Sequence, residues 1–292
     1  MRELLAKYKN GNYFVKLFSD GTKIKCTSDN VFNADFPDSI DLKITNYCEN
    51  SCPMCHESSG LTGKAGNLNH QIIDSFIPGM EVAIGGGNPL THPNLIPFLT
   101  HLKTKGIIAN ITINAIDLNK YYELVLSLIN NNLVHGIGIS CLKYNEDAIS
   151  FAQNHDNVVL HYINGVFPTE DYKKAFGKNL KILILGYKDF GKGHDFYSPI
   201  VKNTMEQTAE MLEDILKGFS VVSFDNLALE QLQVKNIISE SLYNKIYMGN
   251  DGEASMYVDL VEESFAVSST SKNRFPLKPT LIDCFLFLKH SI

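Results

Sequence analysis

From residue 40 onward, short runs rich in Val and Ile alternate with segments of helical periodicity, and this alternation limits the possible folds most strongly. Six runs are expected to be strands, at residues 40–48, 81–87, 109–115, 136–142, 158–165 and 179–187. A repeated strand and helix order is typical of a parallel sheet covered by its crossover helices. The sequence therefore predicts an α/β fold with a partial (β/α)6 TIM-like barrel, open rather than closed.

Two flanking segments differ from this pattern. The segment NYFVKLFSDGTKIKCTS predicts two strands joined by the turn Asp20-Gly21, and we expect this hairpin to pack on an edge of the sheet. After residue 200 we expect a helix in TMEQTAEMLEDILKG, then VVSFDNLALEQL, then a hairpin in ASMYVDLVEESFAVSS. The predicted domains are an N-terminal hairpin at 1–39, the barrel at 40–200, and a C-terminal α/β extension without a cluster motif at 201–292.

Charge and hydropathy bear on the partners of the chain. The formal net charge is -6 and the pI about 5.8, so attraction to a nucleic-acid backbone is not expected. No apolar run approaches the length of a membrane helix, and MRELLAKYKNGNYF has no apolar run of signal-peptide length. We therefore expect a cytoplasmic protein without a membrane partner. In that reducing compartment, clustered cysteines are more often ligands or catalysts than disulfides.

Residues 48–56 read CENSCPMCH and hold three of the six cysteines. Three interpretations compete: a zinc site, an attachment site for c-type haem, and an iron-sulfur cluster. Haem would use Cys52, Cys55 and His56, but covalent attachment implies export and a small helical domain, and Cys48 stays unexplained. Zinc would require the adjacent Cys55 and His56 to reach one tetrahedral ion, and no second C-x-x-C is present.

The third interpretation agrees with both the spacing and the location. Cys48, Cys52 and Cys55 form C-x3-C-x2-C directly after the first predicted strand, at the end where βα folds place their reactive groups. Three thiolates can hold three irons of a [4Fe-4S] cluster. The fourth iron is then free to bind and reduce a small molecule.

This motif in this loop resembles the signature of the radical S-adenosylmethionine (SAM) superfamily, and the resemblance covers roughly residues 40–190. The resemblance implies that the open iron chelates the amino and carboxylate groups of SAM. It implies that reductive cleavage of SAM gives a 5'-deoxyadenosyl radical, which abstracts hydrogen from a substrate. It also implies an external electron donor of the flavodoxin or ferredoxin type.

A glycine-rich segment ends the second predicted strand as Gly85-Gly86-Gly87-Asn88-Pro89. Glycines there let backbone groups approach a ligand closely, although a tight turn without a ligand has the same composition. The segment resembles the Gly-Gly-Glu-Pro sequence that binds the SAM amino group in the superfamily, with Asn88 in place of Glu. The resemblance implies further SAM contacts. One is Met54, which stands beside the adenine where the family usually has an aromatic residue. The others are Asn114, Ser140, Leu185 and Gly186.

The residues that act after hydrogen abstraction are less evident. Cys141 and Cys284 could return a hydrogen atom, as thiols do in similar radical epimerases, but a lone cysteine is more often a core residue. Strand alternation points Ser140 and Cys141 to opposite faces, which weakens Cys141. Four polar residues near the predicted strand ends are further candidates for substrate contacts: Lys143, Tyr162, Lys188 and Asp225.

The substrate is predicted to be a peptide or an amino-acid-like small molecule. A hairpin before the barrel and an extension after it resemble the layout of peptide-modifying radical SAM enzymes. Such enzymes often carry auxiliary clusters in the extension, but Cys284 alone cannot hold one. A nucleotide or RNA base is the alternative substrate, and the negative net charge of the chain disfavours it. A non-enzymatic iron-sulfur scaffold is a third hypothesis, disfavoured by the glycine-rich strand end beside the cysteine motif.

Overall fold

The computed structural model describes residues 2–291, and its strands form two separate sheets. The first is antiparallel, with strands in the order β1, β2, β3: Leu4–Asn10, Tyr13–Phe18 and Lys23–Cys26. The predicted hairpin corresponds to β2 and β3, joined around Asp20-Gly21. Strand β1 was not predicted from the sequence, because its Lys-rich alternation resembles a solvated segment.

The second sheet has ten strands, and eight of them are parallel. The parallel strands are β4 Ser39–Thr45, β5 Glu81–Gly86, β6 Ile108–Asn114, β7 Gly136–Cys141, β8 Val158–Ile163, β9 Lys181–Leu185, β10 Val221–Phe224 and β11 Ser255–Asp259. The antiparallel strands β12 Ser264–Ala266 and β13 Phe275–Pro276 follow. All six predicted strands are confirmed, as β4 to β9.

The spatial order is β10, β9, β8, β7, β6, β5, β4, β11, β12, β13. Strand β10 extends the predicted barrel at one side, and β11 extends it at the other by pairing with β4. The sheet therefore continues across the domain boundary predicted at residue 200. Strands β11 and β12 form the hairpin predicted in this extension, but their place in the barrel wall was not predicted.

Helices and short turns connect the strands. The helices are α1 Leu95–Thr104, α2 Ala115–Leu118, α3 Tyr122–Asn130, α4 Glu146–Asn154, α5 Thr169–Ala175, α6 Lys192–Phe196, α7 Pro199–Glu210, α8 Leu212–Gly218, α9 Asn226–Gln231, α10 Glu240–Ile246 and α11 Leu281–Ser291. After β4 the connection holds only a short 3-10 turn, Gln71–Ser75, since Pro78 disfavours helical geometry at the residue before it. No helix within residues 2–291 has the length and apolar character needed to cross a bilayer.

Strand alternation separates the core from the concave face of the sheet. On β4, Ile40, Leu42 and Ile44 are buried in the hydrophobic core, whereas Asp41 and Lys43 line a cavity on the opposite face. The same alternation on β8 buries Leu160 in the core and turns His161 towards the cavity. The polar residues of these strands therefore meet inside the barrel.

The N-terminal sheet packs at the amino ends of β4 and β5 rather than along an edge of the large sheet. Asp38, just before β4, is 1% exposed and accepts hydrogen bonds from Tyr13 Oη at 2.7 Å and Asn10 Nδ2 at 2.8 Å. Its carboxylate also pairs with Lys25 Nζ at 2.7 Å. The expectation of an edge position was wrong, because this buried polar anchor holds the sheet beneath the strands.

Candidate active site

A cavity of about 380 Å³ lies on the concave face of the barrel. It is bounded by the strands β4 to β9 and β11, and by the loop that follows β4. The three cysteines of the sequence motif all line it: Cys48, Cys52 and Cys55. The carboxyl ends of the parallel strands therefore meet the cysteine loop at one place.

Backbone hydrogen bonds hold the cysteine loop in shape. The N–H of Cys48 donates to the carbonyl of Gly60 at 3.0 Å, and the N–H of Cys55 donates to the carbonyl of Cys52 at 3.3 Å. Ser51 adopts a left-handed backbone with φ of 47°, which turns the chain between the first two cysteines. These contacts keep all three thiols free and partly accessible from the cavity.

The three thiols of the motif open into one common space, the cavity. Burial raises the pKa of the Cys48 and Cys52 thiols, and Coulomb repulsion from neighbouring anionic groups adds to the increase. No group of three His, Cys, Asp or Glu side chains among residues 2–291 is arranged to hold a metal ion as a set. A four-iron cluster takes each thiolate on a different iron, so its ligands need only face a common space. The donor set fits such a cluster.

The strand end at Gly85 to Gly87 has two different roles. A Cβ on Gly85 would meet no atom within 4 Å, so this position opens into the cavity. Gly86 has φ of +109°, and a Cβ there would lie 2.3 Å from the carbonyl oxygen of Thr45. A Cβ on Gly87 would lie 2.2 Å from the carbonyl oxygen of Tyr47. Gly86 therefore allows close packing against the end of β4, Gly87 allows it against the start of the cysteine loop, and Gly85 leaves space for a ligand.

Asn88 and Pro89 lie behind this strand end and do not line the cavity. Asn88 is 2% exposed, and its Oδ1 accepts a hydrogen bond from the N–H of Leu90 at 3.1 Å. Its N–H donates to the carbonyl of Tyr47 at 2.8 Å. The side-chain oxygen of Asn88, predicted to contact the ligand, caps the 3-10 turn Pro89–Thr91 in the structure.

The remaining predicted SAM contacts all line the cavity: Met54, Asn114, Ser140, Leu185 and Gly186. Gly186 is fixed by Asp225, whose Oδ1 accepts from the N–H of Gly186 at 2.9 Å and from the N–H of Ala228 at 2.8 Å. Asp225 therefore supports the end of β9 and caps α9, and does not itself line the cavity. Lys188 lines the cavity, whereas Lys143 does not.

Both lone cysteines lie outside the cavity lining. Cys141 is 3% exposed on the helix side of β7, and burial raises the pKa of its thiol to about 12. Cys284 is fully buried in α11, where its sulfur accepts from the N–H of Lys278 at 3.3 Å. Tyr162 is also on the helix side, stacked on Phe167 with ring centroids 3.8 Å apart. The geometry gives no support to hydrogen-atom donation by Cys141 or Cys284, because both pack as core residues.

An ion-pair cluster in the cavity wall was not predicted from the sequence. Lys43 Nζ lies 3.0 Å from Glu57 Oε2 and 3.1 Å from Asp259 Oδ2, and Tyr257 Oη donates to Glu57 Oε1 at 3.0 Å. Burial alone would lower the pKa of Lys43, but Glu57 and Asp259 together raise it. The cluster joins the cysteine loop, β4 and β11. The sequence indicated this ion-pair cluster through a single lysine, Lys43, inside an otherwise apolar strand.

Two further cavity residues were missed. Asp41 lies two residues before Lys43 on β4 at the cavity wall, where desolvation raises the pKa of its carboxyl and the charge of Lys188 opposes the increase. His161 lies on β8 with its ring against Gly138, and burial lowers the pKa of its imidazole to about 4. Strand alternation identifies both positions, since each is a polar residue on the face opposite the apolar core residues.

No protein-family model matches this chain, and no curated protein matches it. Solved structures of SuiB from Streptococcus suis are similar in fold. The complex with precursor peptide SuiA aligns with a TM-score of 0.56 and 13% identity, covering 87% of this chain and 65% of SuiB. The SAM-bound structure aligns with a TM-score of 0.52 and 12% identity, covering 84% of this chain and 64% of SuiB.

A third SuiB structure aligns with a TM-score of 0.52 and 11% identity, covering 91% of this chain and 82% of that one. In the first alignment this chain spans 65% of the length of SuiB. At such low identity the likeness shows the fold alone. The predicted partial barrel is thereby confirmed, and the chain has the fold of SuiB.

Proposed function

We propose that this chain is a radical SAM enzyme whose substrate is a peptide or an amino-acid-like molecule. One observation carries the proposal: Cys48, Cys52 and Cys55 line the same cavity as the open position at Gly85. A thiol triad for a cluster and a strand end with space for SAM are the two parts that the chemistry requires. The fold supports the proposal because SuiB, which shares it, has been solved with SAM and with a precursor peptide.

The three cysteines would hold a [4Fe-4S] cluster through their thiolates. When bound, such a cluster supplies the electron, received from a flavodoxin or ferredoxin type donor, that cleaves SAM so that hydrogen can be removed from the substrate. The protein residues would position SAM at the carboxyl ends of the strands. Gly85 leaves space there, and the side chains of Asn114 and Ser140 offer polar groups on the next two strands.

The barrel wall would keep water away from the reacting groups. Apolar side chains such as Ala83, Ile163 and Leu183 line the cavity between the polar positions. Radical chemistry needs such a wall, because exclusion of solvent and of other hydrogen donors prevents side reactions. The buried position of Cys141 on the other face of the sheet agrees with this, since its thiol is kept out of the cavity.

The first experiment measures cofactor loading and SAM cleavage. Protein reconstituted without oxygen should bind about four irons per chain, because one thiol triad holds one cubane. Reduced protein should convert SAM to 5'-deoxyadenosine, and Cys48→Ala, Cys52→Ala or Cys55→Ala should each abolish this. Cys26→Ala is the matched control, since Cys26 is exposed on β3 and should leave the activity unchanged. Wild-type deoxyadenosine formation in the triple Ala variant would refute the proposal.

The second experiment concerns the substrate. Mass spectrometry of cellular peptides and of tRNA, with and without the gene, should reveal a gene-dependent mass change in the peptide fraction. The net charge of -6 favours this outcome over RNA, since an acidic protein is not drawn to a phosphate backbone. A gene-dependent change confined to tRNA would assign the alternative substrate.

A further inference from the structure

We propose that Asp117 is a positioning residue that holds the cysteine loop and fixes a negative charge beside Cys48 and Cys52, which makes the proposed cluster a stronger reductant. The inference rests on the proposed function and adds a residue that sets how readily the cluster gives up its electron. It follows from the contacts of Asp117 with the loop, from its burial, and from the charges around it.

Asp117 is bonded directly to the cysteine loop. Asn50 lies between the first two cysteines of the motif, and its Nδ2 donates to Asp117 Oδ2 at 2.6 Å. This hydrogen bond joins segments 67 residues apart, so it fixes the loop against the barrel. Glu49, the residue before Asn50, pairs with Lys120, three residues after Asp117. Two consecutive residues of the loop are therefore held by α2 and the residues that follow it.

The Asp117 carboxylate lies close to the thiols of Cys48 and Cys52. All three residues line the same cavity, and Asp117 is only 3% exposed. The Nδ2 of Asn114, three residues before Asp117, lies 3.7 Å from the Cys52 sulfur, so the start of α2 lies against this cysteine. Burial raises the pKa of both thiols, and repulsion from the Asp117 carboxylate adds to the increase. The charge of Asp117 therefore acts on two of the three proposed cluster ligands.

The groups around Asp117 leave its charge without a paired cation. The ion pair of this region joins Lys120 to Glu49 and does not include Asp117. Their opposite charges act on Asp117 in opposite directions. The two lysines that line the cavity, Lys43 and Lys188, are not among the charges that act on it. Burial raises the pKa of the Asp117 carboxyl, whereas the hydrogen bond from Asn50 favours the ionised form and opposes the increase.

A fixed negative charge changes the electron affinity of a cluster. Reduction adds an electron, and repulsion by a nearby carboxylate makes this addition less favourable, most of all in a protein interior of low dielectric constant. The net charge around an iron-sulfur cluster is one of the factors that set its reduction potential. Asp117 therefore lowers the midpoint potential. A cluster with a lower potential gives its electron to SAM more readily.

The first test removes the charge and keeps the hydrogen-bond acceptor. Asp117→Asn has nearly the same shape, and its side-chain oxygen can still accept from Asn50. At a fixed applied potential the ratio of reduced to oxidised cluster should rise about tenfold, which is a positive shift of about 59 mV in the midpoint potential for one electron. Redox titration of anaerobically reconstituted protein, followed by electron paramagnetic resonance, measures this shift.

Two further variants control this titration. Asp147→Asn should titrate like the wild type, because Asp147 is an exposed carboxylate that likewise accepts from an asparagine, Asn119. Asp117→Glu keeps the negative charge and should also stay near the wild-type potential. A positive shift confined to Asp117→Asn then reports the charge rather than a disturbance of packing.

The second test uses metal-free protein and reports the loop contact. Hydrogen–deuterium exchange of residues 48–56 is followed by mass spectrometry. Asp117→Ala and Asn50→Ala remove opposite ends of the same hydrogen bond, so both should exchange faster than the wild type in this segment. Asp117→Asn should exchange at the wild-type rate. Unchanged exchange in β8, in the middle of the sheet, excludes general unfolding as the cause.

The outcomes separate the inference from the proposed function. An unchanged potential in Asp117→Asn, or an equal shift in Asp117→Glu, would overturn the role of the charge. Wild-type exchange in Asp117→Ala would overturn its role in holding the loop. A protein whose potential shifts in Asp117→Asn but which never forms 5'-deoxyadenosine would refute the radical SAM proposal and support the inference. A protein that cleaves SAM and has the same potential in the wild type and in Asp117→Asn would do the reverse.

Discussion

Asn114, at the end of β6, directs its side-chain Nδ2 towards the sulfur of Cys52 at a distance of 3.7 Å. The Oδ1 of the same amide accepts from the N–H of Ile116 at 3.0 Å and so caps the short helix α2. One side chain thus fixes the start of a helix and contacts a proposed cluster ligand. Asn114 was predicted as a SAM contact, and the structure gives it a second partner in the cysteine loop.

This contact predicts an effect on the reduction potential of the reconstituted protein. Asn114→Ala removes a hydrogen-bond donor from the Cys52 sulfur, and donors to ligand sulfurs favour the more negative, reduced state of a cluster. The midpoint potential, measured by redox titration with electron paramagnetic resonance, should become more negative. Asn119→Ala is the matched control, since Asn119 pairs with Asp147 on the surface. An unchanged potential in Asn114→Ala would show that the amide does not act on the cluster.

The glycines of β5 predict two separable defects. Gly85→Val should place its side chain in the open space of the cavity and weaken SAM binding by about tenfold or more, with iron content unchanged. Gly86→Val should instead lower iron content and thermal stability, because its φ of +109° and the nearby Thr45 oxygen exclude a side chain. SAM titration and iron analysis on both variants measure this. Tight SAM binding by Gly85→Val would remove β5 from the cofactor site.

The buried ion pairs of Lys43 predict a large loss of stability. Lys43→Met leaves Glu57 and Asp259 without their cation, and removal of one partner from a buried pair costs about 3–5 kcal/mol. The free energy of unfolding, from denaturant titration, should fall by about that amount. Lys174→Met is the control, because the Lys174 ammonium is exposed beside Asp171 and such pairs contribute about 1 kcal/mol or less. Equal effects of the two substitutions would contradict the prediction.

Local sequence patterns predicted the central strands but not the ends of the sheet. Strands β4 to β9 are runs of β-branched residues between turn signals, so each could be recognised from its own residues. Strand β10 has only four residues, too few for a clear pattern. Strand β11 pairs in parallel with β4, so that Ser255 lies opposite Ser39, and such a long-range pairing leaves no local signal.

The sequence predicted those parts of the candidate site whose residues lie close together along the chain. The cysteine spacing and the glycine run each lie within a few residues, so both could be recognised. Which glycine opens into the cavity depends on the approach of Thr45 and Tyr47, which only the folded chain shows. Asp41 was missed because a single carboxylate in a strand usually marks a solvent face. The alternation that separates Ser140 from Cys141 would have placed it inside the barrel.

The carboxylate of Asp41 at the cavity wall predicts a stabilising substitution. Desolvation at the cavity wall raises the pKa of the Asp41 carboxyl. The positive charge of Lys188 opposes this increase, and the negative charges of Asp251, Asp225 and Glu57 add to it. A carboxyl with a raised pKa in the folded state binds protons more tightly there than in the unfolded chain. Its contribution to stability is therefore lost as the pH rises from the unfolded pKa, about 3.9, through the raised folded pKa.

Asp41→Asn removes this penalty, so at neutral pH the variant should unfold at a temperature equal to or above that of the wild type. The difference should shrink as the pH is lowered towards 4, about the ordinary carboxyl pKa. Thermal unfolding followed by circular dichroism across this pH range measures it, with Asp214→Asn as the exposed control. A lower midpoint for Asp41→Asn at neutral pH would mean that the carboxylate already has a stabilising partner within the chain.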